Sequence, residues 1–396
     1  MKRKRGAMIQ YIWQDPDWTD FRWDNDRLAE ALGKTRFHQG RLLGKTGSLG
    51  MTLTREAQAE ILIEETLKTA EIEGQSLNRE SVRSSVARRL GLPTAGLPSI
   101  DRHADGLVEV LLDATRNYDR PLTSERLKAW QAALFPTGYS GMTRIRTGQW
   151  RGDDPMQVVS GPIGREKIHF EAPPSERTAD EMKRFLVWWH DSMGKTEGLL
   201  RAGIAHFWFV TIHPFEDGNG RIARAMTDMA LAQDEKLSTR FYSLSARIME
   251  DRKAYYAVLE RSQKGGSDIT EWLLWFLNCM ERALDRSESL ISGVLNKAAF
   301  WQCHAQTPLN ERQRKVINRL LDSGAEGFEG GLTTRKYVGM AKVSRATAYR
   351  EISDLVGKEV LKEEAGKGRS VRYALSYTSH GHRLSLMKKL KTESEK

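Results

Sequence analysis

Residues 213–224 read HPFEDGNGRIAR, set between the apolar run IAHFWFV and an alanine- and methionine-rich stretch. Glycines around Asn219 permit a tight turn whose backbone N–H groups converge, and a helix beginning near Arg221 adds its positive end. The stretch therefore reads as a turn between two helices with an anion cradle at its centre. Arg221 and Arg224 fall on one side of the second helix and can clamp phosphate oxygens in a forked manner. Asp217, at the entry to the loop, can hold Mg²⁺, which takes one or two carboxylates together with phosphates. His213 stands at the edge of the cradle, with an ordinary pKa of about 6.5 that lets it accept a proton near neutrality. Base, metal ligand and phosphate clamp together point to a hydroxyl attacking a phosphate-containing substrate. Rival signatures are absent: there is no GxxxxGK[ST], no acidic residue closing a calcium loop and no HExxH. Singly, each residue has a plain structural explanation, His213 as a helix cap, Asp217 and Asn219 as turn formers, the arginines as solvated surface. Their joint occurrence argues against that account.

The surrounding pattern is mainly helical. Trp13, Trp18 and Trp23 precede DRLAEALGKTRFHQGRLLGKTGSLG, a small helical module. A second helix is expected from Thr54, as cap, to Gly74, with Glu73 at its exit. GLPTAGLP at 91–98 marks a turn-rich boundary, and helical patterns resume at 104–118 and 123–134. MQVVSG and KIHFEA, separated by GPIG, read as a β-hairpin. Helices return from 178 through the glycine-rich turn to about 290, including YYAVLE and EWLLWFLNCM. From 309 onward, NERQRKVINRLL, TTRKYVGMA and SRATAYREISDLVGKEVL form three helical patterns, and EEAGKGRSVRYALSY reads as strand, basic turn and strand. That is the outline of a winged helix-turn-helix, with SRATAYRE as recognition helix and Lys367 and Arg369 in the wing. Such a domain contacts either DNA or protein.

At 396 residues the chain exceeds what one core usually organises. No apolar run is long enough to span a bilayer, so no membrane partner is expected. The start, MKRKRGAMIQYIW, has no apolar h-region or small-residue cleavage site, and a cytoplasmic location is the expectation. Cys279 and Cys303 form no CxxC or zinc spacing, which fits a reducing compartment. A net charge of +10 leans toward nucleotides or nucleic acid without deciding between them.

The 213–224 stretch matches, position for position, the pattern HxFx(D/E)GNGRxxR, and so resembles the Fic family, whose members transfer AMP from ATP to protein hydroxyls. YIWQDPDWTDFRWDNDRL is similar to the helical module before some Fic domains, IHFEAPPSE to the family's flap, and AYYAVLE to its adenine-side helix. The resemblance implies a mainly α fold: a Fic-type helical bundle with a β-hairpin flap, followed by the winged helix-turn-helix domain. It places an N-terminal helical module at 1–95, the catalytic domain at 96–295 and the winged helix at 305–380. His213 would deprotonate a Ser, Thr or Tyr hydroxyl on a target protein, and Asp217 would bind Mg²⁺. Gly218, Asn219, Gly220 and Arg221 would hold the phosphates of ATP, Arg224 the γ-phosphate, and Tyr255 and Tyr256 the nucleotide. Phe215 would anchor the loop. GNGR, in place of the phosphate loop of Doc-type kinases, favours AMP transfer, while other nucleotide donors stay open.

TAEIEG at 69–74 fits the family's inhibitory pattern (S/T)xxxE(G/N). The resemblance implies that Glu73 pairs with Arg224 in a forked ion pair, takes the place of the γ-phosphate and silences the enzyme. In some relatives the same glutamate also positions water to remove AMP. Lys167, Ile168 and His169 are the flap positions expected to receive a target segment as an added strand. Because such proteins often dimerise, a homodimer is a further expectation. The alternative reading is a DNA-binding regulator that uses Arg345, Arg350, Lys367 and Arg369, with the Fic core as nucleotide sensor.

Overall fold

The computed structural model describes residues 10–47, 50–93, 99–161, 165, 167–321, 331–364 and 371–376. In chain order, α1 is Asn25–Thr46, α2 Met51–Ile72, α3 Arg79–Leu90, α4 Arg102–Arg116 and α5 Ser124–Leu134. Two antiparallel hairpins follow, β1 (Tyr139–Ser140) with β2 (Thr143–Arg144), then β3 (Gln157–Ser160) with β4 (Lys167–Glu171). Helices resume with α6 Thr178–Asp191, α7 Gly198–Ile212, α8 Asn219–Glu235, α9 Leu244–Glu250, α10 Arg252–Gln263 and α11 Thr270–Cys303. The last elements are α12 Glu311–Leu321, α13 Thr334–Ala341, α14 Arg345–Gly357, β5 Leu361–Glu364 and β6 Arg372–Leu375. Two compact units result, one of residues up to Leu43 with Gln58–Asp285, the other of Gly44–Ala57 with residues from Arg286 on.

The first unit is organised by α7. Every side chain from Leu199 to Ile212 is buried, as expected of a helix that is apolar on all sides. Glu197 caps its start by accepting the Leu200 N–H at 2.9 Å. Helices α4 and α5 begin at Asp101 and Thr123, whose side chains accept N–H groups of their first turns. The N-terminal tryptophans belong to this same unit. Trp18 is fully buried edge-on to Trp208 at 5.9 Å, and Trp13 Nε1 donates to the Glu171 carbonyl at 2.7 Å, tying the N-terminal segment to the β3–β4 hairpin. Helix α2 starts earlier than the sequence suggests. Thr54 lies inside it, its hydroxyl donating back to the Gly50 carbonyl at 3.2 Å, so it is not the cap.

In the second unit, α12, α13 and α14 enclose Val316, Ile317, Tyr337, Ile352 and Leu355. Strands β5 and β6 pair antiparallel, and Leu332 bridges to Tyr373 as a third edge. Glu351 points inward to Tyr337 Oη at 2.7 Å and Arg312 Nη2 at 2.6 Å. The expected wing residues Lys367 and Arg369 lie outside the described residues. No helix among the described residues is long and apolar enough to cross a membrane.

One buried network sets the seam between α2 and α8. Glu65 accepts from Ser243 Oγ at 2.7 Å and Ser245 N at 3.1 Å, and Arg240 Nη1 reaches Glu235 at 2.6 Å. Asp228 has only the 3.6 Å approach of Arg240 Nε among the described residues. Burial, then the neighbouring Glu65 carboxylate, push its pKa well up, outweighing Arg240. Folding therefore takes up a proton, and stability is lost as pH rises from the unfolded carboxylate range through the folded value. Asp228→Asn removes that dependence. Its thermal midpoint should exceed that of the natural chain by about 2 °C at pH 8, the scale of a ~1 kcal/mol change, and match it near pH 4. Calorimetry at the two pH values checks this, and an Asn variant that is less stable at pH 8 would refute it.

Candidate active site

Helix α7 ends at His213, a non-glycine residue in the left-handed region with φ 53 and ψ 59. Its N–H donates to the Phe209 carbonyl at 3.0 Å, and its Nδ1 lies 3.1 Å from the Val210 carbonyl. A carbonyl can only accept, so Nδ1 carries the proton and Nε2 is left as an acceptor. The residue as a whole is partly exposed. Burial among the helices nonetheless lowers its pKa. The Val210 carbonyl, Glu73 and Asp217 push it up, and Arg151 pushes it down. The ring is thus neutral at physiological pH, as a base requires.

The turn that follows is built by its own side chains. Asn219 Oδ1 accepts the Phe215 N–H at 2.9 Å and its Nδ2 donates to the Phe215 carbonyl at 2.8 Å. This clamps the loop with an amide that is 2% exposed. The Asn219 side chain is therefore committed to loop shape, and its remaining offer to an anion is its backbone N–H. Phe215 is fully buried against Trp150 at 4.9 Å. Gly218 sits at φ 91, where a Cβ would stand 3.0 Å from the Phe135 ring. Helix α8 begins at Asn219, two residues before the start the sequence suggests.

Arg221 and Arg224 project from the first turns of α8. Arg221, 5% exposed, lies over the Phe135 ring at 4.7 Å and reaches Gln75 Oε1 at 3.2 Å and Asp217 Oδ1 at 3.4 Å. Burial lowers its pKa. Arg224 Nε donates to Thr69 Oγ1 at 2.5 Å, and Nη2 donates to the Thr69 carbonyl at 3.0 Å and to Glu73 Oε1 at 2.7 Å. Burial, the largest single effect, opposes its charge, but Glu73 together with Tyr255 and Tyr256 raises its pKa on balance. The pairing differs from a forked ion pair: one guanidinium nitrogen meets one carboxylate oxygen, and Thr69 takes Nε and shares Nη2. Arg221 Nε and Arg224 Nη1 are buried and have no partner among the described residues.

Glu73 reaches this point because it stands four residues after Thr69, one residue past the end of α2, and so lies one turn on from it. The helix closes in a turn, with Gly74 N–H to Glu71 O at 2.9 Å and Gln75 N–H to Ala70 O at 3.0 Å. Arg252 Nε holds the Ile72 carbonyl at 2.7 Å and Tyr256 Oη lies 3.4 Å from it. The Glu73 carboxylate lies directly over the start of α8: a Cβ built on Gly220 would fall 2.2 Å from Glu73 Oε1.

Asp217 is partly exposed, with one oxygen on the Gly218 N–H and the other on the Ser140 hydroxyl of the β1–β2 hairpin. A single carboxylate at the rim of an anion cradle fits Mg²⁺ bound together with phosphates. Tyr255 is buried, with its hydroxyl on His206 Nε2 at 2.9 Å, while Tyr256 stands beside the end of α2. On the flap, Lys167 is exposed and Ile168 is 44% exposed, whereas His169 Nδ1 is 2.7 Å from Glu260 on α10. Sequence reasoning missed Arg151, Gln75, Arg252 and Ser140. Arg151 Nε donates to the His213 carbonyl at 2.9 Å. Only Ser140 had a local signal, the Gly138 and Gly141 turn formers on either side of it.

Residues 121–231 match a family model described as the Fic/DOC family, and residues 11–92 match a domain of unknown function, DUF4172. A protein adenylyltransferase Fic of Nematostella vectensis is 34% identical over 117 residues, 28% of this chain and 25% of that protein. One from Drosophila melanogaster is 23% identical over 265 residues, 66% of this chain and 48% of that protein. The chain thus spans half or less of the length of these relatives. A solved Fic family protein from Desulfovibrio desulfuricans G20 shares the fold, with TM-score 0.52 at 19% identity over 89% of this chain and 97% of that one.

Because the Gly218 conformation costs a non-glycine residue roughly 1–2 kcal/mol, Gly218→Ala should lower the unit's melting midpoint by about 2–8 °C. An unchanged midpoint in a thermal melt would show that the turn has another path open to it.

Proposed function

Because residues 121–231 form a Fic/DOC family domain, we propose that the chain transfers AMP from Mg²⁺-ATP to a Ser, Thr or Tyr hydroxyl of a target protein and is held silent by Glu73. The observation that carries this reading is the anion cradle itself. The N-terminus of α8, two buried arginines and two unpartnered guanidinium nitrogens converge where the chain places its own carboxylate. A triphosphate satisfies the same donors. His213 Nε2 takes the proton of the attacking hydroxyl as the oxygen–phosphorus bond forms at the α-phosphate. The bond to the β-phosphate oxygen breaks, and pyrophosphate leaves. Mg²⁺ at Asp217 would supply charge neutralisation on the phosphates. The chain's own work is positioning, the larger part of catalysis in such a displacement. With Glu73 on Arg224, the γ-phosphate loses its seat and the α-phosphate is not brought in line with the hydroxyl.

With Mg²⁺ and α-labelled ATP, the purified chain should label itself weakly, Glu73→Gly strongly, and Glu73→Gly with His213→Ala not at all. Equal labelling by the last would sink the role of His213. Since a base works only when neutral and the His213 pKa lies below 6.5, the acid limb of labelling should fall below that pH. Removing Glu73, which raises the pKa, should move the limb lower still.

The second unit supports an additional reading as a winged-helix DNA contact. On α14 the acidic Glu351 is turned inward, while Arg345, Tyr349 and Arg350, with the preceding Lys342, are exposed. The full chain should then bind duplex DNA with affinity that falls steeply with salt. Arg345→Ala and Arg350→Ala should each reduce the logarithmic salt slope by about one. Absent or salt-independent binding in a titration points to protein contact instead.

A further inference from the structure

The left-handed backbone of His213 persists only because its surroundings over-determine it. Helix α7 accounts for the N–H and the ring. The carbonyl is held from elsewhere, by Arg151 Nε at 2.9 Å. The Arg151 backbone N–H donates to the Pro214 carbonyl at 2.8 Å, and its Nη2 donates to the Pro173 carbonyl just beyond β4. Arg151 is 6% exposed and has no carboxylate within ion-pair distance among the described residues. A buried guanidinium bonded only to carbonyls is an expensive way to fill space, since burial disfavours its charge. What it supplies is geometry: it enters just before β3, meets the chain just after β4, and grips the two residues that open the catalytic turn.

We propose that Arg151 is a positioning residue that locks the base of the β3–β4 flap to the His213 backbone, so that a segment docked on the flap and the ring that takes its proton share one rigid frame. This rests on the reading of His213 as base and of the flap as docking edge, and it adds the link between them. The ring follows because the backbone it hangs from is fixed at both the N–H and the carbonyl. Without Arg151 the carbonyl is free to rotate, the strained φ relaxes and Nδ1 leaves Val210.

The test uses the full chain with ¹⁵N-labelled histidine. The natural chain should show His213 with Nδ1 protonated and Nε2 bare. In Arg151→Gln, that signal should become an average of both tautomers, and amide exchange across β3 and β4 should rise tenfold or more. The self-labelling rate in the Glu73→Gly background should fall tenfold or more, with ATP affinity within twofold. Arg151→Lys, which keeps the charge and one donor group, should recover part of each. A Glu73→Gly chain that does not label defeats the catalytic reading, while the tautomer and exchange shifts still decide the link. An unchanged tautomer and unchanged flap exchange in a folded Arg151→Gln chain overturn it, however well the chain labels.

Discussion

A guanidinium buried to 1% exposure is costly to hold charged, most of all without an anion, and the surroundings of Arg224 follow from that cost. On α7, His206 is bonded to Thr227 and Tyr255, and on α8 the Asp228 carboxyl one turn further along has its pKa pushed well up by burial, so the counter-charge comes from outside the α7–α8 pair. Glu73 supplies it at 2.7 Å, from a helix that lies about 150 residues earlier in the chain. Because one oxygen meets one nitrogen, the pair leaves Arg224 Nη1 unsatisfied. Thr69, rather than a second carboxylate oxygen, completes the contact. A partly exposed carboxylate making a single contact to a fully buried cation is a replaceable partner, which is what competition with a phosphate demands.

The same economy governs the turn between α7 and α8. Asn219 spends its amide on Phe215, Phe215 fills the core beneath, and Gly218 takes the backbone angle that lets α8 start immediately. What remains at the surface of the turn is the partly exposed Asp217 carboxylate, the imidazole Nε2 and the backbone N–H groups of the helix start. The chemistry is left exposed because the structural polar groups are satisfied internally. Arg151 extends the logic outward, from the turn to the hairpin beside it.

Much of this was legible in the sequence, where spacing alone carries the information. HPFEDGNGRIAR gives the turn, the helix start and the two arginines beside it because all its parts lie within a few residues of one another, and TAEIEG sets Glu73 one turn on from Thr69 by its i, i+4 spacing. The contacts that sequence reasoning missed are those with no local period. Gln75 meets Arg221 from a turn, Arg252 holds the end of α2 from the start of another helix, and Arg151 acts through backbone carbonyls, which any residue possesses. Tyr255 shows the converse limit. Its helix was recognisable, but only packing reveals that its hydroxyl is taken by His206. The start of α2 was misjudged for a related reason, since a threonine that looks like a cap can equally bond back to the preceding turn.

If Glu73 is the switch, the structure constrains how it is thrown. Upstream, α2 is held by Glu65 on Ser243 and Ser245 and by buried Ile61, Ile63 and Ile72. Lifting the whole helix would expose three large side chains at about 1.5–3 kcal/mol each, before any hydrogen bond is counted. Moving an equilibrium from 1:99 to 99:1 already requires about 5.5 kcal/mol of differential binding, and whole-helix release asks for more. Glu73 lies one residue past the end of α2, in a turn whose hydrogen bonds end at Gln75. Unwinding that turn alone frees the carboxylate while Thr69 and Glu65 stay in place. A triphosphate that meets Arg221 in either state gains little differential affinity through that contact, so what ATP itself contributes to the shift rests on Arg224. The effective signal is one that distinguishes the two turn conformations, and the groups positioned to do so are Gln75, Arg252 and Tyr256, which grip the turn in its closed form.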